Sequence, residues 1–443
     1  MRLKYLVFAL VVVFQQSLSA EEHQASLPEQ ATLEECISFA LKNRASVNIA
    51  LIDEEIGERE IASSLSGWFP SLNVASSYNY NIKVPSAIIG DQVISMGKKN
   101  VSGLTIQADQ QILNPQLIQA SKSAKEFRKL NAQNTEYNKI NTIVEVSKAY
   151  YDILTSNKQL EIITANIERI QKQLDDATAR YEVGLVDQTD FKRARIALRN
   201  SQVDLKRTQE LLQYKYEYIK ELIGLKAGDK ISLSLEDTDV DGEVLLDIQD
   251  YAQTENRIEY QLLQTQQRLQ KLNTKFNKAA YMPVVSAFAN YGWDWRGDSF
   301  GDQFDITTPR SVFGLNFSFN IFDGNRKLQS LRKSQLMETR LDWDMIQLKN
   351  QINTEYQLAK AMYNSNANEW AIAKENLDMS QEIYDVIKLQ YDSGVKTYLE
   401  LMTADTDLKT SQINYLNALF AVLSSKIDLQ RALGEINPTT YNQ

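Results

Sequence analysis

The sequence predicts an α+β membrane protein made of two internal structural repeats. Four strands per chain enter a shared β-barrel, and very long helices continue it as a coiled-coil barrel. Three observations carry this reading: a helix–turn–helix stretch that occurs twice, two pairs of alternating segments, and two heptad-spaced apolar runs far longer than a globular helix.

The duplicated stretch is RYEVGLVDQTDFKRARIAL at 180–198, with its copy QYDSGVKTYLELMTADTDL at 390–408. Aligned at Gly184 and Gly394, the two share Tyr181 and Tyr391, Asp190 and Glu400, Phe191 and Leu401, Ala194 and Ala404, and Leu198 and Leu408. The register holds to Gly224 and Gly434. Each copy puts glycine just past a helix end, where a left-handed conformation is needed, so each reads as the tip of a helical hairpin.

In chain order, residues 1–20 read as a secretory signal: Arg2 and Lys4, an apolar run over 6–14, then Ser17-Leu18-Ser19-Ala20. The apolar run is much shorter than the roughly 20 residues a spanning helix needs. Repeat 1 covers 21–225, a connector 226–246, repeat 2 247–435 and a tail 436–443. In repeat 1 a helix over 33–65 ends at Gly67-Trp68-Phe69-Pro70. A strand is expected over 70–83, with Leu72, Val74, Tyr78, Tyr80 and Ile82 on one face and Asn73, Ser77, Asn79 and Asn81 on the other. A polar loop follows, then a strand over 101–113 with Leu104, Ile106, Ala108 and Ile112 in phase. Asn114-Pro115 opens a helix over 115–181, with a tip at 182–188 and a returning helix at 189–224.

Repeat 2 follows the same plan, with strands at 283–295 and 311–322, a long helix at 324–391, a tip at 392–396 and a helix at 397–433. Tyr291, Trp293 and Trp295 share one strand face, and Phe313, Leu315, Phe317, Phe319 and Ile321 another. Aromatics towards strand ends suit a water–lipid interface, although alternation alone equally fits a sandwich. The helices decide against the sandwich. Each long helix runs for about 67 residues, about 100 Å at 1.5 Å per residue. Ile163, Ile167, Ile170, Leu174, Ala177 and Tyr181 mark the heptad in one, and Leu341, Met345, Leu348, Ile352 and Tyr356 in the other.

Composition removes other classes. One His (His23), one Cys (Cys36) and a net charge of -9 speak against a zinc site, a disulfide framework and nucleic-acid binding. The carboxylates are spread along helices and no motif gathers them, so the chain is read as no enzyme and is expected to use no cofactor or metal. Four strands cannot close alone in lipid, because each unpaired edge group costs several kcal/mol, so an oligomer is required. An exported coiled-coil scaffold is the alternative, but it leaves the alternating aromatic strands without purpose.

The duplicated strand–strand–long-helix plan and the paired tips resemble the TolC-like outer-membrane efflux proteins over nearly the whole mature chain. The resemblance implies a homotrimer in the outer membrane of a Gram-negative bacterium, its barrel in contact with lipid and its helices forming a periplasmic tunnel. It further implies a periplasmic adaptor that contacts the tips through Val183, Gly184, Leu185, Gly394 and Val395. An inner-membrane transporter of resistance-nodulation-division, major facilitator or ABC type would supply the energy. Matched to the family, Thr189 and Asp190 on one side and Tyr391 and Lys396 on the other form a clasp that holds the tip closed. Lys396 stands where the family has arginine, which replaces a bidentate fork by a point charge. Glu400 matches the first of two acidic rings at the aperture, and Thr403 stands at the uncharged second. A ring of glutamates would favour cations.

Overall fold

The computed structural model describes residues 30–184, 187–226, 228–234 and 254–441. The expected signal segment and most of the connector lie outside the described residues. The first repeat contains α1 (Leu33–Asn43), α2 (Ala45–Leu65), β1 (Ser71–Tyr80), β2 (Ser86–Ile89), β3 (Gln92–Ser95), β4 (Asn100–Leu113), α3 (Pro115–Glu182) and α4 (Gln188–Ile223). The second contains α5 (Ile258–Ala279), β5 (Val284–Gly297), β6 (Thr307–Ser318), α6 (Arg326–Asp392) and α7 (Tyr398–Leu433).

The four long strands form one antiparallel sheet in the order β1-β4-β5-β6. Its register aligns Val74, Ile106, Tyr291 and Ser311 across the sheet, and Leu104 beside Trp293 beside Pro309. The apolar face is bare: Leu72 is 72% exposed, Phe313 77% and Phe317 66%. A sheet of this size facing water would be unstable; this face is built for hydrocarbon. Among the described residues no helix is long and apolar enough to cross a membrane.

The opposite face carries Asn73, Gln107, Asn290 and Arg310, with three glycines set against larger neighbours. A Cβ on Gly314 would fall 2.7 Å from the Phe288 ring, one on Gly103 3.2 Å from Asp294 Oδ1, and one on Gly292 2.9 Å from the Leu104 carbonyl oxygen. Arg310 of β6 reaches across β5 to β4, where its Nη2 donates to Thr105 Oγ1 at 3.2 Å.

β1 stops at Tyr80, short of the expected 83, and three larger differences from the sequence reading have a visible cause. β6 runs from Thr307 to Ser318 instead of 311–322. Ser318 pairs with Val284, and the next partner would be Pro283, which has no N–H to extend the ladder. The expected loop after β1 holds the small β2-β3 hairpin, whose turn uses Gly90 at φ +66°. The helix expected over 33–65 breaks at Arg44, which is extended at ψ 130°. No glycine or proline marks that break; it comes from tertiary contact. Arg44 reaches α3, donating to Thr142 Oγ1 at 3.1 Å and Glu145 Oε2 at 2.5 Å.

The same joint recurs in the second repeat, where Arg257 is extended ahead of α5 and is nearly fully buried. It donates to Glu259 and Glu355 and to the Ala432 carbonyl. Gly224 and Gly434 end α4 and α7 at φ +85° and +74°, each backbone packed on the Asn-Arg break of its own repeat. A Cβ on Gly224 would sit 2.5 Å from the Asn43 carbonyl oxygen.

α3 has 68 residues and α6 has 67. Each packs against its returning partner, and α3 also packs along α7, so that the two hairpins lie side by side. A large apolar core around Tyr150, Ile153, Leu154, Ile219, Leu419 and Leu423 holds the helices where α1 joins them.

Gly224→Ala combines a left-handed φ with a backbone clash and is expected to cost upward of about 2 kcal/mol. Gly184→Ala at φ +75° meets nothing within 4 Å and should lose about 1 kcal/mol, from strain alone. Comparing the melting of the two purified variants tests this difference.

Candidate functional site at the helical tips

Both hairpins end at the same end of the molecule, and their tips have matching geometry. α3 stops at Glu182, and Gly184 takes φ +75° with its N–H on the Tyr181 carbonyl at 3.0 Å. α6 stops at Asp392, and Gly394 takes φ +77° with its N–H on Tyr391 at 3.0 Å. Val183 and Val395 project into solvent, 70% and 73% exposed. Leu185 lies outside the described residues.

The helices that leave the tips are capped differently. Asp187 caps α4 through the Thr189 N–H, and the Thr189 hydroxyl, followed by that N–H, holds the Asp187 carboxyl below the usual carboxylate range. Thr397 caps α7 in a reciprocal box: Glu400 N–H donates to Thr397 Oγ1 at 3.4 Å and Thr397 N–H donates to Glu400 Oε2 at 2.9 Å.

Lys396 Nζ donates to Glu400 Oε1 at 2.6 Å. The ammonium, followed by the two Thr397 hydrogen bonds, lowers the Glu400 carboxyl to about 2. Glu400 is therefore paired with a cation of its own chain, which offsets the charge of the expected acidic ring. Thr403 is exposed, its hydroxyl bonded to the Leu399 carbonyl.

Among the described residues no hydrogen bond joins Thr189 or Asp190 to Tyr391 or Lys396. Thr189 is exposed and Asp190 half-buried, while Tyr391 is buried beneath Arg180, whose guanidinium lies 4.9 Å from the ring centroid. Tyr398 meets Tyr391 edge to face at 6.2 Å, and burial pushes its hydroxyl up to about 12. With Ala194, Tyr384, Leu401, Ala404 and Leu408, these tyrosines make a small core between the hairpins. Sequence reading missed Arg180, Asp187 and a buried acid, Asp405. Asp405 had a detectable signal, since it falls among Leu401, Ala404 and Leu408 on an apolar stripe. No group of His, Cys, Asp or Glu among the described residues is arranged to hold a metal.

A bare apolar sheet face, two helices about 100 Å long and paired tips at the far end define a membrane-embedded duct assembled from several copies of one chain. The chain belongs to the outer membrane efflux protein family, whose model matches residues 36–226 and 255–435. It is 20% identical over 438 residues to the outer membrane protein TolC of Escherichia coli K12, covering 93% of this chain and 84% of the relative. It is 18% identical over 428 residues to a probable efflux pump outer membrane protein, TtgC, of Pseudomonas putida, covering 94% and 85%. Among solved structures, CusC superposes with a TM-score of 0.75 at 16% identity, covering 90% of this chain and 91% of that one. VceC of Vibrio cholerae superposes at 0.72 and 16%, covering 91% and 96%. The chain is thus an outer-membrane efflux channel in which four-stranded sheets join into one barrel, continued by helices. Channels of this family work as trimers with adaptors and inner-membrane pumps.

Because the Glu400 carboxyl is depressed in the folded state, its stabilising contribution is complete above the unfolded carboxyl value of about 4.3 and is lost as pH falls towards 2. Lys396→Met should move the Glu400 titration up towards the ordinary range, as read by carboxyl NMR of the purified channel.

Proposed function

We propose that this chain is the exit duct of a tripartite efflux or type I secretion assembly, and that its paired tips are both the adaptor-docking end and the moving gate. The observation that carries the reading is the pair of tips, with Val183, Gly184, Gly394 and Val395 all exposed at one end of the hairpins. Leu185 completes the proposed contact set. An adaptor would meet two apolar knobs on rigid helix ends, and a transporter of resistance-nodulation-division, major facilitator or ABC type would drive cargo through an otherwise passive bore.

Thr189, Asp190, Tyr391 and Lys396 are the proposed clasp. Lys396 is bonded to Glu400 and must leave it before it can reach across the seam. Relatives from Pseudomonas putida are described as antibiotic and toluene efflux pump proteins, so small apolar cargo is the class to test first.

Photocrosslinking from Val183, Leu185 and Val395 in living cells should capture a periplasmic adaptor, identified by mass spectrometry. No adaptor at any of the three positions would overturn the docking assignment. In planar bilayers the purified channel should conduct, and Asp190→Ala with Lys396→Ala should raise its conductance; a double variant equal to wild type would remove the clasp.

A further inference from the structure

Helix α3 packs along α7, and two of its arginines reach past that helix to tyrosines of α6. Arg169 lies 5.6 Å from the Tyr384 ring centroid and Arg180 lies 4.9 Å from that of Tyr391. The upper contact belongs to a network drawn from four helices. Arg169 Nε donates to Asp405 Oδ1 at 3.0 Å, Asn166 Nδ2 donates to Asp405 Oδ2 at 3.0 Å, and Ser201 Oγ donates to Asn166 Oδ1 at 3.1 Å. Asp405, Asn166, Ser201 and Tyr384 are all buried.

The lower contact has a different chemistry. Tyr391 is buried, with Tyr398 against it and the half-buried Arg180 on its face, and no ion pair of Arg180 is present among the described residues. Breaking one partner of a buried ion pair leaves an uncompensated charge, whereas a cation on a ring face is a weaker and more tolerant contact. The two rungs therefore differ in strength, with the weaker one nearer the tips.

We propose that Arg180 is the positioning residue that keeps the two tips together, its guanidinium on the Tyr391 ring forming the releasable rung of a tie whose upper rung, Arg169–Asp405–Tyr384, stays closed. The hairpins then part at Arg180 and pivot at Asp405. The tie uses the ring of Tyr391 and not its hydroxyl, which sets it apart from a hydrogen-bonded clasp. It rests on the reading of the tips as the moving end.

The test is hydrogen exchange of residues 384–398 in the purified trimer, with bilayer conductance measured on the same samples and assembly checked by gel. Arg180→Gln and Tyr391→Leu should each speed exchange there by about tenfold, and Tyr391→Phe, which keeps the ring, should stay within about twofold of wild type. Wild-type exchange in Arg180→Gln would overturn the proposal, and so would Tyr391→Phe exchanging as fast as Tyr391→Leu. If exchange rises as expected while conductance does not change, the tie stands and the gate reading of the tips falls.

Discussion

Everything in this molecule follows from the two open edges of its sheet. β1 and β6 each end the four-stranded order with a row of backbone groups that have no partner in the same chain. In hydrocarbon such groups cannot be left to water, so the edges must meet those of other copies. Closure then sets the radius on which the helices hang. α3 starts two residues after β4, at Asn114-Pro115, and α6 starts shortly after β6, so each hairpin inherits its place from a strand.

The duplication supplies the second constraint. Arg44 and Arg257 occupy the same joint, each in extended conformation, and each repeat docks the glycine that ends its returning helix against that joint. The two halves nevertheless differ in burial: the Arg257 side chain is 5% exposed and held by two glutamates, while that of Arg44 is 18% exposed and held by one. The joint near the shared core thus holds the roots of the hairpins firmly, while their far ends rest on a much smaller cluster of tyrosines and leucines.

What could be read in the sequence was whatever depends on local period. The alternation in β1, β4, β5 and β6, the heptads of α3 and α6, and the two tip glycines all stand in the linear pattern. The break at Arg44 could not be seen, because its cause is Thr142 and Glu145, about a hundred residues away. The end of β6 was set by Pro283 on a neighbouring strand, and a strand read alone cannot show where its partner stops donating. At the tips the residue types were legible but their pairing was not. Lys396 bonds within its own helix to Glu400, and Tyr391 faces Arg180, because side chains take the nearest strong partner that packing allows.

The three glycines on the polar face of the sheet have a hydrodynamic consequence. Gly103 and Gly314 leave space that Asp294 and Phe288 take up, Gly292 lets the neighbouring backbone come close, and Arg310 is tied to Thr105, so part of the wall is held in place by its neighbours. A solute moving along such a wall displaces little but water. Friction along the sheet is then set by the width of the bore more than by the side chains that line it.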